Sequence, residues 1–93
     1  MANLTPSSLL IRSSDLIATE MDGDIVMMHI SSGQYFGISG VGPRIWALLE
    51  RPITLDALIA TIVNEYIVDE QTCRNDIQAF MQNLLDQGAA RIT

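Results

Sequence analysis

Apolar and polar residues alternate through the first half of the chain, as expected for short strands with one buried face. The candidate strands are residues 16–21, 25–30 and 34–38, separated by Asp22-Gly23 and by Ser31-Ser32-Gly33. The second of them is apolar on both faces, which suggests broad burial. Asp-Gly between two such segments is a strong signal for a two-residue hairpin turn. The pattern therefore predicts an antiparallel meander of three strands.

The second half of the chain changes to helical spacing. Apolar residues recur every three or four positions and predict three helices, near 43–50, 55–66 and 70–87. Pro43 suits the first turn of a helix, and Thr54 and Asp69 are placed as N-caps of the second and third helices. We therefore expect an α+β fold in which a three-stranded antiparallel sheet is followed by three helices.

The two ends of the chain carry weaker patterns. Residues 1–14 mix Pro6, serines and the apolar Leu9-Leu10-Ile11, and we interpret them as a tail or loop with one candidate apolar anchor. A short final strand is predicted at 89–93. Residues 15–93 are then a single domain.

Charge changes the choice of partners. Eleven acidic residues face five arginines, lysine is absent, and the formal net charge is −6. Nucleic acids and anionic membranes are bound largely through basic groups, so both are disfavoured as partners. The sequence has no apolar run of about 20 residues and no secretory signal pattern at its start. The single Cys73 cannot form an internal disulfide, which fits a cytoplasmic location.

Candidate catalytic chemistry is scarce. His29 lies within a predicted strand and Cys73 on the apolar stripe of the third helix, so we interpret both as structural. One histidine and one cysteine do not make a metal-ligand pattern. Gly37, Gly40 and Gly42 lack the Lys of a phosphate-binding loop and are better explained as a strand-to-helix corner. We therefore expect a protein that is not an enzyme and uses no metal or cofactor.

The order of four motifs resembles the PqqD family over about residues 15–90. These motifs are Gln34-Tyr35-Phe36-Gly37, Ile45-Trp46-Ala47-Leu48-Leu49, Thr54-Leu55 through Leu58 to Tyr66, and Asp76 through Phe80 and Leu84 to Gly88. Each motif consists mainly of core residues, and it is their order and spacing together that is specific.

This resemblance implies a winged helix-turn-helix domain that recognises ribosomally made peptides. Such domains bind the leader segment of a precursor peptide and present it to modifying enzymes. Stand-alone members of this length resemble the B1 proteins of lasso-peptide pathways, which work with a separate leader peptidase. Others serve pyrroloquinoline quinone synthesis beside a radical enzyme, and both pathways remain open. The resemblance also implies that the leader adds as a strand beside the third strand, in a groove completed by the third helix.

The residues themselves are compatible with this mode of binding, because an exposed strand edge can pair with an extended peptide. The candidate peptide-binding residues are Gln34, Tyr35, Phe36, Gly37 and Ile38 on the strand and Asp69, Cys73, Asp76, Ile77 and Phe80 on the helix. For Ile77 and Phe80, the sequence leaves open whether the side chain contacts the leader peptide or only packs in the core. Asp76 or Asp69 is available to a basic leader residue.

Three other functions compete with leader binding. A DNA-binding winged helix is disfavoured because the third helix offers only Arg74 as a cation, among several acids. A small enzyme is disfavoured because the sequence lacks a catalytic constellation. A purely structural subunit would not bind a leader. We expect a monomer or weak dimer whose partners are a precursor peptide and a leader peptidase or other modifying enzyme.

Overall fold

The computed structural model describes residues 4–93 and arranges them as two small sheets and three helices. The elements are, in order, β1 (Leu9–Arg12), β2 (Leu16–Met21), β3 (Asp24–His29), β4 (Tyr35–Ile38), α1 (Gly42–Leu48), β5 (Ile53–Thr54), α2 (Leu55–Glu65), α3 (Glu70–Asp86) and β6 (Ala90–Ile92). The α+β class predicted from the sequence is confirmed.

The predicted meander is the sheet β2-β3-β4, and both of its strand pairs are antiparallel. Asp22 and Gly23 join β2 to β3 with φ of 55° and 87°. Positive φ at both central residues is typical of a type I′ turn, whose twist matches that of the strands it joins. The Asp-Gly signal thus located this hairpin correctly.

The three predicted helices are also confirmed, with bounds that differ by one or two residues. The Thr54 side chain accepts a hydrogen bond from Ala57 N at 3.1 Å, and Asp69 Oδ2 accepts one from Thr72 N at 2.9 Å. These bonds satisfy helix N–H groups that have no partner within the helix. None of the helices within residues 4–93 is both long and apolar enough to cross a membrane.

The N-terminal segment requires a correction. Residues 1–14 were expected to form a tail or loop, and residues 1–3 lie outside the described part of the chain. Within residues 4–14, β1 is the central strand of a second sheet, with β5 on one side and β6 on the other. Leu10 is fully buried in the core and pairs with Ile53 and Ile92. The apolar anchor is therefore part of the fold, and the short final strand predicted at the C-terminus is the partner that pairs with it.

The core lies between the two sheets and the helices. Its largest fully buried side chains are Leu10, Met27, Leu49, Leu55, Leu58, Ile59, Ile62 and Met81. Trp46 of α1 is 5% exposed, and the guanidinium of Arg12 lies 5.1 Å from its ring centroid. Arg12 Nη1 also donates to the Trp46 carbonyl at 3.3 Å. These two contacts of Arg12 connect β1 to α1.

Replacement of Trp46 by alanine should destabilise the fold by about 3–5 kcal/mol, because it removes a large buried side chain and leaves a cavity. The measurement is denaturant unfolding followed by far-UV circular dichroism, since the variant has no tryptophan to report by fluorescence. Tyr35→Ala is the matched control, because Tyr35 is 73% exposed and exposed substitutions usually change stability by about 0.5 kcal/mol or less. Equal losses in the two variants would contradict this assignment.

Candidate functional site

The β4 strand has a free edge. Its one neighbour in the described sheet is β3, with Met28 opposite Tyr35 and Val26 opposite Gly37. His29 N donates to the Gln34 carbonyl at 2.9 Å, and hydrogen-bonded pairs alternate along an antiparallel ladder. The next bonded positions on this strand are therefore Phe36 and Ile38, so Tyr35 and Gly37 direct their main-chain N–H and C=O groups away from β3.

The side chains of β4 alternate between the two faces of the sheet. Phe36 and Ile38 point towards the core, and Ile38 is only 3% exposed. Tyr35 stands on the outer face, largely in solvent. A Cβ at Gly37 would approach only the Ile25 carbonyl, at 3.9 Å, so the space beside this residue is open. An extended chain could reach the outward main-chain groups of Tyr35 and Gly37 without steric obstruction from position 37.

An apolar groove of about 310 Å³ begins where β4 ends. It lies between the start of α1 and the first half of α3. It is lined by Ser39, Val41, Gly42, Ile45, Val68, Thr72, Cys73, Asp76, Ile77 and Phe80. The free edge of β4, called the edge below, and this apolar cavity, called the groove, are therefore consecutive along the chain and form one continuous candidate site.

The corner between β4 and α1 depends on two glycines. Gly40 has φ of 63°, in the left-handed region that residues with a Cβ rarely adopt. Gly42 is in close contact with Ile38, and a Cβ at position 42 would overlap the Ile38 Cγ2 atom and lie 3.4 Å from Phe80 Cε1. Glycine here allows α1 to start directly against β4 and leaves room for the groove.

The groove carries a single charged lining residue, Asp76. Arg74, the cation of α3, is instead directed to α2, where its Nη1 lies 3.0 Å from Asp56 Oδ1. Asp69 does not line the groove, and its Oδ2 accepts bonds from both the N–H and the hydroxyl of Thr72. These bonds lower the pKa of Asp69. The groove is thus mainly apolar and carries one acidic side chain.

Cys73 lies on the groove wall and is nearly buried. Burial raises the pKa of its thiol, and the carboxylates of Asp76 and Glu70 raise it further. A nucleophilic cysteine needs the opposite environment, in which a cation or helix N-terminus stabilises the thiolate. The structural interpretation of Cys73 made from the sequence agrees with this environment.

His29 makes contacts that superficially suggest a catalytic triad. Ser31 Oγ lies 2.9 Å and Asp15 Oδ2 3.6 Å from the same ring nitrogen, Nδ1. In a Ser-His-Asp triad the serine and the aspartate use opposite nitrogens of the imidazole, so this cluster cannot relay a proton between them. Among residues 4–93 there is also no group of three potential metal ligands.

Sequence reasoning found part of this site. Of the ten candidate residues, Cys73, Asp76, Ile77 and Phe80 line the groove, whereas Asp69 caps α3. Tyr35, Phe36, Gly37 and Ile38 form β4, which leads to the groove, and Gln34 directly precedes that strand. The lining residues missed are Ser39, Val41, Gly42, Ile45, Val68 and Thr72. Thr72 lies one helical turn before Asp76 and could have been found by that spacing. Ser39, Val41, Gly42 and Ile45 depend on the corner geometry, and Val68 directly precedes the α3 cap residue Asp69.

The family model described as coenzyme PQQ synthesis protein D (PqqD) matches residues 24–89. The chain belongs to the PqqD family. No curated protein matches it.

Two solved structures share the fold of this PqqD-family chain. One is described as TbiB1 in complex with the TbiA(beta) leader peptide, with 31% sequence identity, 87% of this chain and 94% of that chain covered, and a TM-score of 0.79. The other is a lasso peptide synthetase B1 complexed with the leader peptide, with 20% identity, 88% and 96% coverage, and a TM-score of 0.76. The family-model match begins at residue 24, so β1 and β2 lie before it.

The environment of Cys73 predicts slow alkylation. Because its thiol pKa is raised, the thiolate fraction at a given pH should be smaller than for an exposed cysteine, and the rate should keep rising into the alkaline range. The measurement is the rate of reaction with a thiol-specific reagent as a function of pH. Asp76→Asn removes a negative charge and should speed the reaction at fixed pH more than Glu70→Gln does. An unchanged rate in Asp76→Asn would contradict the assigned cause.

Proposed function

We propose that this chain is a non-catalytic recognition element that binds the leader segment of a ribosomally made precursor peptide. The leader adds as a strand to the free edge of β4 and places a side chain in the groove. The bound precursor is then presented to a leader peptidase or other modifying enzyme of a lasso-peptide pathway.

The observation that carries this proposal is the continuity of the edge and the groove. Tyr35 and Gly37 offer main-chain donors and acceptors in the plane of the sheet, which is the requirement for adding a strand. Pairing of this kind depends little on the sequence of the added strand. The groove at the end of the strand supplies the selectivity, because its apolar lining favours an aliphatic or aromatic side chain.

Charge further defines the peptide. Asp76 is the charged residue in the groove lining, and the chain as a whole carries a net charge of −6. A leader with a lysine or arginine next to its apolar anchor therefore fits better than an acidic one. Asp69, the alternative acid, is engaged by Thr72 as the cap of α3, which favours Asp76 as the partner of the basic residue.

The comparisons support the same ligand class. TbiB1, with 31% identity over 87% of this chain, is described as a complex with a leader peptide. The family description names coenzyme PQQ synthesis instead, so a peptide chaperone of that pathway is the second candidate. The two differ in the peptide bound, and binding assays with leaders from each kind of pathway distinguish them.

A DNA-binding winged helix is less compatible with the charges. Phosphate contacts need several free cations on the recognition helix. Arg74 on α3 is paired with Asp56, and Arg44 on α1 makes two bonds to Glu65, at 2.8 and 2.6 Å. A gel-shift experiment at low salt tests this alternative directly.

Gly37→Pro should weaken leader binding by about fivefold or more. Proline removes the N–H that faces the free edge, and an unsatisfied peptide acceptor costs about 1–3 kcal/mol. Edge strands accept proline when its N–H side faces outward, so the sheet should persist. The assay is fluorescence polarisation with the labelled leader segment of a lasso-peptide precursor, compared with the core segment of the same precursor.

Gly37→Ala is the matched control, because a Cβ at this position meets only the Ile25 carbonyl at 3.9 Å and the N–H is retained. Phe36→Pro is uninformative for binding, since the N–H of Phe36 faces β3 and its loss damages the sheet. Circular dichroism should show Gly37→Pro to be folded. Equal affinity of Gly37→Pro and Gly37→Ala, or equal binding of leader and core, would refute the proposed mode.

Asp76→Asn should weaken binding of a leader that carries a basic residue by about twofold to fivefold, as expected for a solvent-exposed ion pair. The loss should shrink as salt is added, because screening already weakens the pair in the parent protein. The same polarisation assay, repeated with the basic residue of the leader replaced by glutamine, supplies the control. A loss that persists with the glutamine peptide would assign Asp76 a role other than charge pairing.

A further inference from the structure

Within residues 4–93, the sheet β2-β3-β4 has a second free edge, at β2, which the proposed function does not use. In this six-residue strand the side chains from Ile17 to Met21 are all exposed, with Ile17 at 54% and Met21 at 57%. Proteins usually protect such edges with proline, a bulge, a cover or several charges. Glu20 is the one charged residue of the strand, and proline is absent from it. The edge is therefore open to pairing with another strand.

The hydrogen-bond pattern shows which main-chain groups are available. Ile30 N donates to the Asp15 carbonyl at 3.1 Å, and β2 and β3 pair in the register that places Ile17 opposite Met28. Bonded pairs alternate along the ladder, so the odd-numbered residues of β2 bond to β3. Leu16, Ala18 and Glu20 direct their N–H and C=O groups to the free edge.

We propose that two copies of this chain associate through β2, antiparallel, about a two-fold axis at Thr19. Residues directly opposite each other then share a face of the sheet. Ile17 of each copy lies opposite Met21 of the other on the outer face, with the two Thr19 side chains between these pairs. Ala18 and Glu20 lie opposite one another and exchange the main-chain hydrogen bonds.

Charge and apolar pairing select this register. A two-fold axis at Glu20 would place two carboxylates opposite each other, which is destabilising. An axis at Ala18 would place Met21 opposite Asp15 and leave Ile17 opposite Thr19. The axis at Thr19 pairs each exposed aliphatic side chain with another and puts no acid opposite an acid. Among the axes at Ala18, Thr19 and Glu20, only the one at Thr19 makes the strand self-complementary along its whole length.

The size of the interface predicts a weak dimer. Two six-residue edges bury less than the roughly 1,200–2,000 Å² of a standard stable interface, and each copy carries a net charge of −6. Added salt screens this repulsion and should strengthen the dimer. In the resulting order β4-β3-β2-β2-β3-β4, both β4 edges and both grooves stay open.

The first test is sedimentation equilibrium over a concentration series, in low and in high salt. The parent protein should show a monomer–dimer equilibrium that shifts to dimer with salt. Thr19→Glu places two carboxylates at the axis and should weaken the dimer by about fivefold or more. Thr19→Gln, whose side chain has the same shape as glutamate but no charge, should not weaken it. Gly37→Pro should dimerise normally. A monomer under all conditions, equal behaviour of the Glu and Gln variants, or loss of the dimer in Gly37→Pro overturns the proposal.

The register has its own test. In a Cys73→Ser background, Thr19→Cys places two thiols opposite each other at a non-hydrogen-bonded pair, where Cβ atoms lie about 4.5–5.5 Å apart. Mild oxidation should give a covalent dimer on a denaturing gel, and Ile17→Cys should give little. Circular dichroism verifies that both variants are folded. Cross-linking as efficient at position 17 as at position 19 overturns the two-fold axis at Thr19.

Discussion

The close contact between Ile38 and Gly42 is the constraint on which the candidate site depends. Ile38 ends β4 with its side chain in the core, and α1 begins only four residues later. This is possible because Gly40 turns the chain with positive φ and Gly42 presents no Cβ to Ile38 or Phe80. Gly42 and Phe80 both line the groove. A Cβ at position 42 would overlap the Ile38 Cγ2 atom, so a side chain there would have to displace Ile38.

The second sheet shows how a small domain recruits distant segments to complete its core. In β1, Leu10 is fully buried, while Arg12 stacks on Trp46 and donates to its carbonyl. Its neighbours β5 and β6 have only two and three residues. Strands this short carry almost no periodic signal, and the pairing joins both ends of the chain. The N-terminal segment therefore resembled a tail in the sequence, although its leucine pattern correctly marked an anchor.

Local patterns predicted what local interactions determine. The alternation of β2, β3 and β4, the Asp22-Gly23 hairpin and the caps at Thr54 and Asp69 are set by residues close in sequence, and all were found. The α3 side of the groove follows from helical spacing. The opposite wall, from Ser39 to Ile45, is brought to α3 by the strand-to-helix corner, and this packing is not encoded in any periodicity. Asp69 was predicted both as the cap of α3 and as a candidate binding residue, and its carboxylate accepts the capping hydrogen bonds from Thr72.

The two free edges of the sheet β2-β3-β4 differ in what surrounds them, and this difference underlies the two modes of pairing proposed for them. The β4 edge leads into a groove whose lining, with Asp76 as its acid, can discriminate among added strands by side chain. The β2 edge borders solvent, so only the residues directly opposite in the added strand can provide selectivity. A second copy of β2 supplies residues that pair well at these positions. A groove beside an edge therefore favours a foreign peptide, whereas a bare edge favours a strand whose charges and aliphatic residues fall in register. Because the edges are separated by β3, occupancy of one leaves the other sterically free.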